Sequence, residues 1–397
     1  MHLIFLGLLY SDSFLEQVVK GKLARLQMAP HTFQTNLLNG FSEFEDISAS
    51  VINIPPMGSF PKNSKKLFLR TENWNDGKNV QVGYLNLPFI KQCIMRDQIK
   101  KQLKKQIKNC GENTSIIMYS LFEPFLDVIS WTKKKYPFIS AYLIQTDPVP
   151  GREDMDCYMT SYARIKGNRL VKKAKCIDGF ITLTKYLTKP LEVGERPFCI
   201  VECVCNFSQD ADARIENEKN ICLYTGSLAK EFGMYELAEA FKKLENAELW
   251  VCGSGELADY FKETEKNYKN IKFFGFVPQE QLAEIRQKAN FLINPRRPSG
   301  TYTKHSFPSK TAEYMASGKP VIMYKLEGIP DEYDQYLNYM KSETPEEIAE
   351  ELSRIFALDY DQLCEKSDAG RAFIRENASP LHQAKKIYEL MTRGEKQ

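Results

Sequence analysis

Ser306-Phe307-Pro308-Ser309-Lys310-Thr311-Ala312-Glu313-Tyr314-Met315-Ala316-Ser317-Gly318-Lys319-Pro320-Val321-Ile322 decides how this chain is read. Its order predicts a short helix with polar groups at its start, a glycine stop, and then a buried strand. Pro308 sits where a helix tolerates a missing N–H, and Ser309, Lys310 and Thr311 fall in the first turn. Backbone N–H groups without intrahelical acceptors, with a lysine beside them, suit a phosphate. Glu313, one turn further in, is placed to accept hydrogen bonds from the sugar hydroxyls of a nucleotide.

The 397 residues give room for two domains, and 43% hydrophobic with 12% aromatic content is enough to bury two cores. The 54 basic and 51 acidic side chains nearly cancel, which argues against a nucleic-acid coat and leaves any basic surface local. Ten cysteines lie scattered without a CxxC, and the chain opens with no signal peptide, so free thiols in a reducing cytoplasm are expected. Cys199, Cys203 and Cys205 cluster, but with no histidine near them they read as buried thiols rather than a metal site. The opening Leu3–Leu9 run is too short to span a bilayer and reads as a first buried strand.

Outward from the quoted stretch, short apolar runs alternate with helical periodicity. Strands are expected at His2–Leu8, Ala49–Ile54, Val80–Leu85, Ser115–Tyr119, Phe138–Ile144 and Gly179–Leu183, with helices at Phe89–Lys108 and Phe125–Lys135. The second half repeats the plan at Ile221–Thr225, Glu248–Cys252, Ile271–Phe274, Phe291–Ile293 and Pro320–Met323. Such strands point to an α/β chain of parallel sheets covered on both faces. Asn206–Asn220, polar and without apolar periodicity, is the expected linker. Ligands of two such domains belong at the carboxyl ends of the strands.

The Pro308 to Ile322 run closely resembles the donor-site motif of family 4 glycosyltransferases (glycosyl transferases group 1), which have the GT-B fold. That resemblance implies two facing Rossmann-like domains with a cleft between them. The acceptor-side domain would span 1–205 plus a returning C-terminal helix at 378–392, and the donor-binding domain 206–377. It also implies a UDP- or GDP-linked sugar as substrate, no cofactor, no metal requirement, and retention at the anomeric carbon.

Tyr224-Thr225-Gly226-Ser227-Leu228-Ala229-Lys230-Glu231-Phe232-Gly233 follows a strand and precedes a helix, so Gly226 lets backbone approach a pyrophosphate. The plainer reading is a turn. The family usually places an arginine after the glycine and a lysine before the second glycine; Ser227 and Phe232 stand there, leaving Lys230 or Lys310 to neutralise the diphosphate. Lys310 is the stronger candidate because it also has the helix terminus. Gly253 and Ser254 in Val251-Cys252-Gly253-Ser254-Gly255-Glu256 resemble the second donor loop, or simply turn the chain. Val277, in Phe273-Phe274-Gly275-Phe276-Val277-Pro278, falls where the family pairs backbone with the base. The family's acidic residue eight positions before Glu313 is here His305, either a contact for the donor sugar or a solvated loop residue. Arg296 and Arg297, just after a strand, are phosphate candidates or surface arginines.

On the acceptor side, Asp147 ends a buried strand in Leu143-Ile144-Gln145-Thr146-Asp147-Pro148-Val149-Pro150, and either orients an acceptor hydroxyl or caps the turn. Gly7 and Tyr10-Ser11-Asp12-Ser13 follow the first strand toward the same end. In Arg96–Lys108, Ile99, Leu103 and Ile107 form one face, while Lys100, Lys101, Lys104, Lys105 and Lys108 occupy the rest. This is a solvated face or a dock on an anionic membrane, where each lysine contributes roughly 1 kcal/mol.

The expectation is a cytoplasmic GT-B glycosyltransferase, peripheral at the inner face of the membrane, acting on a glycan or lipid-linked glycan in surface polysaccharide or capsule synthesis. A non-catalytic partner subunit and a sugar-nucleotide 2-epimerase remain as alternatives. The first draws on the missing cationic pair; the second would need more than four histidines and cleft carboxylates comfortably supply.

Overall fold

The computed structural model describes residues 1–21, 27–75, 77–108, 113–152, 160–206, 218–298 and 303–393. The chain divides into two compact units, Met1–Asn206 with Ala378–Gln397, and Phe207–Asn377. Of the expected linker Asn206–Asn220, residues 207–217 lie outside the described residues.

The first unit runs β1 (His2–Gly7), α1 (Asp12–Gly21), α2 (Met28–Ser42), β2 (Ser48–Asn53), β3 (Phe68–Leu69), β4 (Glu72–Trp74), β5 (Asn79–Gln81) and β6 (Tyr84–Leu85). It continues with α3 (Lys91–Lys108), β7 (Thr114–Tyr119), α4 (Glu123–Lys135), β8 (Ser140–Gln145), α5 (Ser161–Lys173), β9 (Gly179–Thr182) and β10 (Phe198–Ile200). The main sheet has the order β10-β9-β8-β7-β1-β2-β5-β4. Its pairs are parallel except the edge pair β4–β5. Strand alternation feeds two cores: Ile4 and Leu6 join the one built with α3 and α4, Leu3 and Phe5 the one built with α2.

Two expectations shift here. The run Val80–Leu85 is two strands, because Gly83 turns the chain against Thr71: β5 stays in the main sheet while β6 pairs antiparallel with β3. The helix expected from Phe89 starts at Lys91, since Phe89 adopts φ +65° and cannot continue a right-handed helix. On α3 the whole apolar stripe of Met95, Ile99, Leu103 and Ile107 is buried in the unit's own core. At about 2 kcal/mol for each fully buried side chain, that stripe is held by the protein and is not available to a bilayer. Lys100 and Lys104 lie over the Trp131 ring at 4.4 and 5.2 Å; Lys101, Lys104, Lys105 and Lys108 are exposed.

The second unit contains β11 (Asn220–Ser227), α6 (Met234–Phe241), β12 (Ala247–Ser254), α7 (Ala258–Asn267), β13 (Ile271–Gly275), α8 (Gln279–Gln287) and β14 (Phe291–Asn294). After it come α9 (Ser309–Ser317), β15 (Val321–Tyr324), β16 (Asn338–Met340), α10 (Pro345–Phe356) and α11 (Tyr360–Asn377). The chain then returns as α12 (Pro380–Arg393), whose Ala384, Ile387, Leu390 and Met391 complete the first unit's α2-side core. Gly40 on α2 makes that approach possible, because a Cβ there would meet the Pro380 carbonyl oxygen at 2.0 Å. The second sheet, β13-β12-β11-β14-β15-β16, is parallel throughout. Its order is doubly wound, reversing between β11 and β14, so a crevice opens beyond their carboxyl ends. Among the described residues every cysteine is a free thiol, no cluster of metal-ligating side chains forms, and no helix is long and apolar enough to cross a membrane.

Candidate functional site

At the carboxyl end of β11 the register sets Gly226 beside Gly253 and Ser227 beside Ser254. The backbones meet so closely that a Cβ on Gly253 would lie 1.8 Å from the Gly226 carbonyl oxygen. Both serines are exposed there. The loop after β11 is held by Leu228 N–H donating to Ser254 O at 2.9 Å and Lys230 N–H donating to Glu256 Oε1 at 2.6 Å. The Lys230 side chain itself is exposed.

Across the switch point, α9 lays Lys310 over this turn. A Cβ on Gly226 would lie 2.5 Å from Lys310 Cε, and Nζ stands 3.4 Å from Thr225 Oγ1. Desolvation holds the Lys310 ammonium below the ordinary lysine value, opposed by the carboxylate of Glu313. Four residues on, the Tyr314 hydroxyl accepts from Thr225 N–H at 2.9 Å and meets Thr225 Oγ1 at 3.1 Å, tying α9 to β11. Tyr314 is buried, which pushes its hydroxyl's pKa well up and keeps it protonated. Ser309 and Glu313 are exposed on the outer side of the helix.

Thr311 takes a different place from the one expected. It is 0% exposed, its hydroxyl faces Met323 Sδ at 3.8 Å, and its N–H donates to Pro308 O. One residue of rotation on a helix turns a side chain by about 100°, so the neighbour of an outward Lys310 points into the core. A ligand role for its side chain is thereby corrected. Lys319 in the same motif is structural too: buried, it donates to the Gln287 and Ala289 carbonyls at 3.1 and 2.7 Å, at the end of α8.

Arg296 and Arg297 part company. Arg297 pairs with Glu236 at 3.2 Å and donates to Glu343 O at 2.9 Å, so it braces α6. Arg296 lies over the Phe232 ring at 5.6 Å, and its charge acts on the Tyr224 hydroxyl, which itself donates to Ser227 O at 2.7 Å. It therefore borders the same loop as Lys310. His305 is not a solvated loop residue; it is 2% exposed, in a turn (Thr303–His305) that packs against Gly328. Val277, half-buried, follows β13 two strands from β11.

Asp147 belongs to the other unit. Exposed beyond β8, it lies 3.4 Å from the Thr146 hydroxyl, which meets Tyr119 OH at 2.9 Å, while Gln145 Nε2 donates to the Asp147 carbonyl. Gly7 ends β1; Tyr10 and Ser11 are buried after it, and Asp12 and Ser13 are exposed at the start of α1. Within the second unit, then, Ser227, Gly253, Ser254 and Lys310 converge on one turn. Sequence reasoning missed Tyr314, although its i,i+4 spacing from Lys310 put both on one helix face. It also missed Glu256, which left no local signal.

Residues 219–357 match the family model described as Glycosyl transferases group 1. No curated protein matches the chain. Among solved structures, it is similar to the lipopolysaccharide outer core galactosyltransferase WaaB in its apo form, at TM-score 0.64 and 13% identity, covering 99% of this chain and 100% of that one. Trehalose-6-phosphate synthase OtsA superposes at TM-score 0.68 with 8% identity over 99% of both chains. Anabaena HepE, solved in complex with UDP, superposes at TM-score 0.62 with 11% identity over 99% of this chain and 100% of its own.

Proposed function

We propose that the chain, with its glycosyl transferases group 1 segment at residues 219–357 and its GT-B fold, is a glycosyltransferase that uses a nucleotide-sugar donor and a glycan or lipid-linked glycan acceptor. The observation that carries this reading is Lys310, seated on Gly226 at the end of β11 with its ammonium partly desolvated. A cation there, beside the first turn of α9, favours a diphosphate, whose charge grows as the sugar departs.

In this proposal the Lys310 ammonium and the backbone N–H groups of Ser309 and Lys310 at the start of α9 stabilise the leaving nucleotide diphosphate. Ser227 and Ser254 offer hydroxyls to the phosphates or donor sugar, Glu313 takes the ribose, and the backbone at Val277 faces the base. Asp147 orients the acceptor hydroxyl. The departing phosphate takes that hydroxyl's proton as the sugar is transferred with retention, and no metal is called for. The setting would be surface polysaccharide synthesis on the cytoplasmic side, with the lysines of α3 meeting an anionic membrane by charge alone.

A thermal-shift panel of UDP, GDP and their common sugar conjugates tests the reading. A selective rise in melting temperature with one nucleotide supports a working donor site. No rise with any of them favours a second reading, a non-catalytic partner subunit, for which Ser227 and Phe232 in place of a cationic pair are the specific observation.

A further inference from the structure

A cavity of about 310 Å³ opens wholly within the first unit, with Leu8, Ile54, Met57, Met95 and Phe122 among its apolar walls and Lys91 beside them. Leu8, Ile54 and Phe122 follow β1, β2 and β7, so the cavity lies where this sheet reverses its winding, the position at which such sheets take ligands. Its rim is braced: Tyr10 OH donates to Pro56 O at 3.1 Å and Tyr84 OH to Pro55 O at 3.3 Å.

Lys91 Nζ donates to Met57 O at 3.2 Å and Asn86 Oδ1 at 3.5 Å, which uses two of its three N–H groups. Among the described residues both of these partners are uncharged oxygens, and desolvation lowers the Lys91 pKa. A half-buried ammonium among apolar walls is relieved by an anion. Immediately before it, Phe89 is 97% exposed and Ile90 is also exposed, with Phe89 held in the left-handed region that bulky side chains avoid. Apolar side chains thus stand at the surface next to the cation.

We propose that this cavity binds an anionic amphiphile, a phosphate or diphosphate joined to a hydrocarbon chain, with the anion on Lys91 and the chain along the cavity's apolar wall. The inference rests on the reading of the chain as a sugar transferase and narrows its acceptor to a lipid-linked one.

The test is calorimetric titration of the full chain with farnesyl phosphate, below its aggregation limit, alongside farnesol and inorganic phosphate. Farnesyl phosphate should bind with one-to-one stoichiometry and at least about tenfold tighter than either half alone, because both parts of the site contribute. Lys91→Gln should weaken it about tenfold or more, and Leu8→Phe, which fills the cavity, should weaken it while leaving inorganic phosphate unchanged. Lys310→Ala should leave it untouched. Farnesyl phosphate bound no tighter than inorganic phosphate overturns the proposal, as does unaltered affinity in folded Lys91→Gln. If Lys91→Gln fails to fold, unaltered affinity in Leu8→Phe overturns it. Failure here with nucleotide binding intact removes only this site; nucleotide failure with farnesyl phosphate binding intact removes only the transferase reading.

Discussion

Nζ of Lys310 stands 3.4 Å from Oγ1 of Thr225, and the lysine stem crosses Gly226 so closely that a methyl group there would lie 2.5 Å from Cε. The helix and the strand end are thereby fitted to one another through a missing side chain. Tyr314 fixes the same relationship one turn along, through the N–H and hydroxyl of Thr225.

Removing the charge should therefore remove the ligand and not the fold. Lys310→Ala is expected to weaken binding of UDP or GDP roughly ten- to a hundredfold, the range for losing a hydrogen bond to a charged group. Circular dichroism melting should change little, because Tyr314 still anchors α9. Unchanged nucleotide affinity would end the role assigned to Lys310.

The two neighbouring glycines should differ in how far their substitution costs stability. In Gly226→Ala the new methyl meets the movable end of a lysine, so Lys310 is displaced and affinity falls. In Gly253→Ala it meets the backbone oxygen of Gly226 at 1.8 Å, which cannot yield without opening the β11–β12 pair. Both glycines also sit at positive φ, +149° and +156°, which strains any side chain, so both variants should melt below the parent; overpacking against backbone adds about 1–3 kcal/mol in Gly253→Ala, which should melt lower still. Denaturant titration of both checks the order.

Proton linkage gives the affinity a direction with pH. Desolvation lowers the Lys310 pKa in the empty site, and a bound diphosphate raises it again. Between those two values binding takes up a proton, so affinity should hold at neutral pH and fall as pH rises through the empty-site pKa. Titrations from neutral to about pH 10 in buffers of different ionisation enthalpy read that uptake directly. Its absence in Lys310→Ala would assign it to this lysine.

Arg296 and Arg297 are adjacent in sequence and opposite in expected effect. Arg296→Ala should weaken nucleotide diphosphates and leave the melting temperature near the parent's, since the side chain borders the β11 loop. Arg297→Ala strips the partner from Glu236, part of whose carboxylate is already buried without a hydrogen bond, and should lower stability instead. A pair of variants with the same phenotype would contradict this division.

Replacing Lys100, Lys101, Lys104 and Lys105 with glutamine should abolish co-sedimentation with anionic vesicles at low salt without unfolding the chain. The apolar stripe of α3 is already buried, so no hydrophobic insertion from that face remains to hold the protein on the membrane. Retained sedimentation would rule out α3 as the dock.

The strand pattern was readable because both sheets are almost wholly parallel and their strands are continuous apolar runs. β1, β7 and β8 were found within a residue or two of their observed ends, as were β11, β12 and β13. Short edge strands such as β4, β10 and β16, three residues each, carry too little pattern to be seen. Val80–Leu85 looked like one strand because apolar content does not reveal that Gly83 redirects the chain into a different sheet.

The sequence by itself determined the winding of the α/β units, the glycine turns at the ends of β11 and β12, and a short helix opening on Ser309 and Lys310. Periodicity and turn chemistry are local, and these features need nothing else. Only the tertiary structure decided which of several equivalent-looking polar side chains face solvent. Thr311 turned into the core, Lys319 went to the carbonyls ending α8, and Arg297 went to Glu236, while Lys310 and Arg296 were left beside one strand end. The reason is that a lysine, an arginine or a threonine has the same chemistry everywhere along a chain. Its role depends on which backbone oxygens and carboxylates the fold brings within reach, and those partners lie tens of residues away.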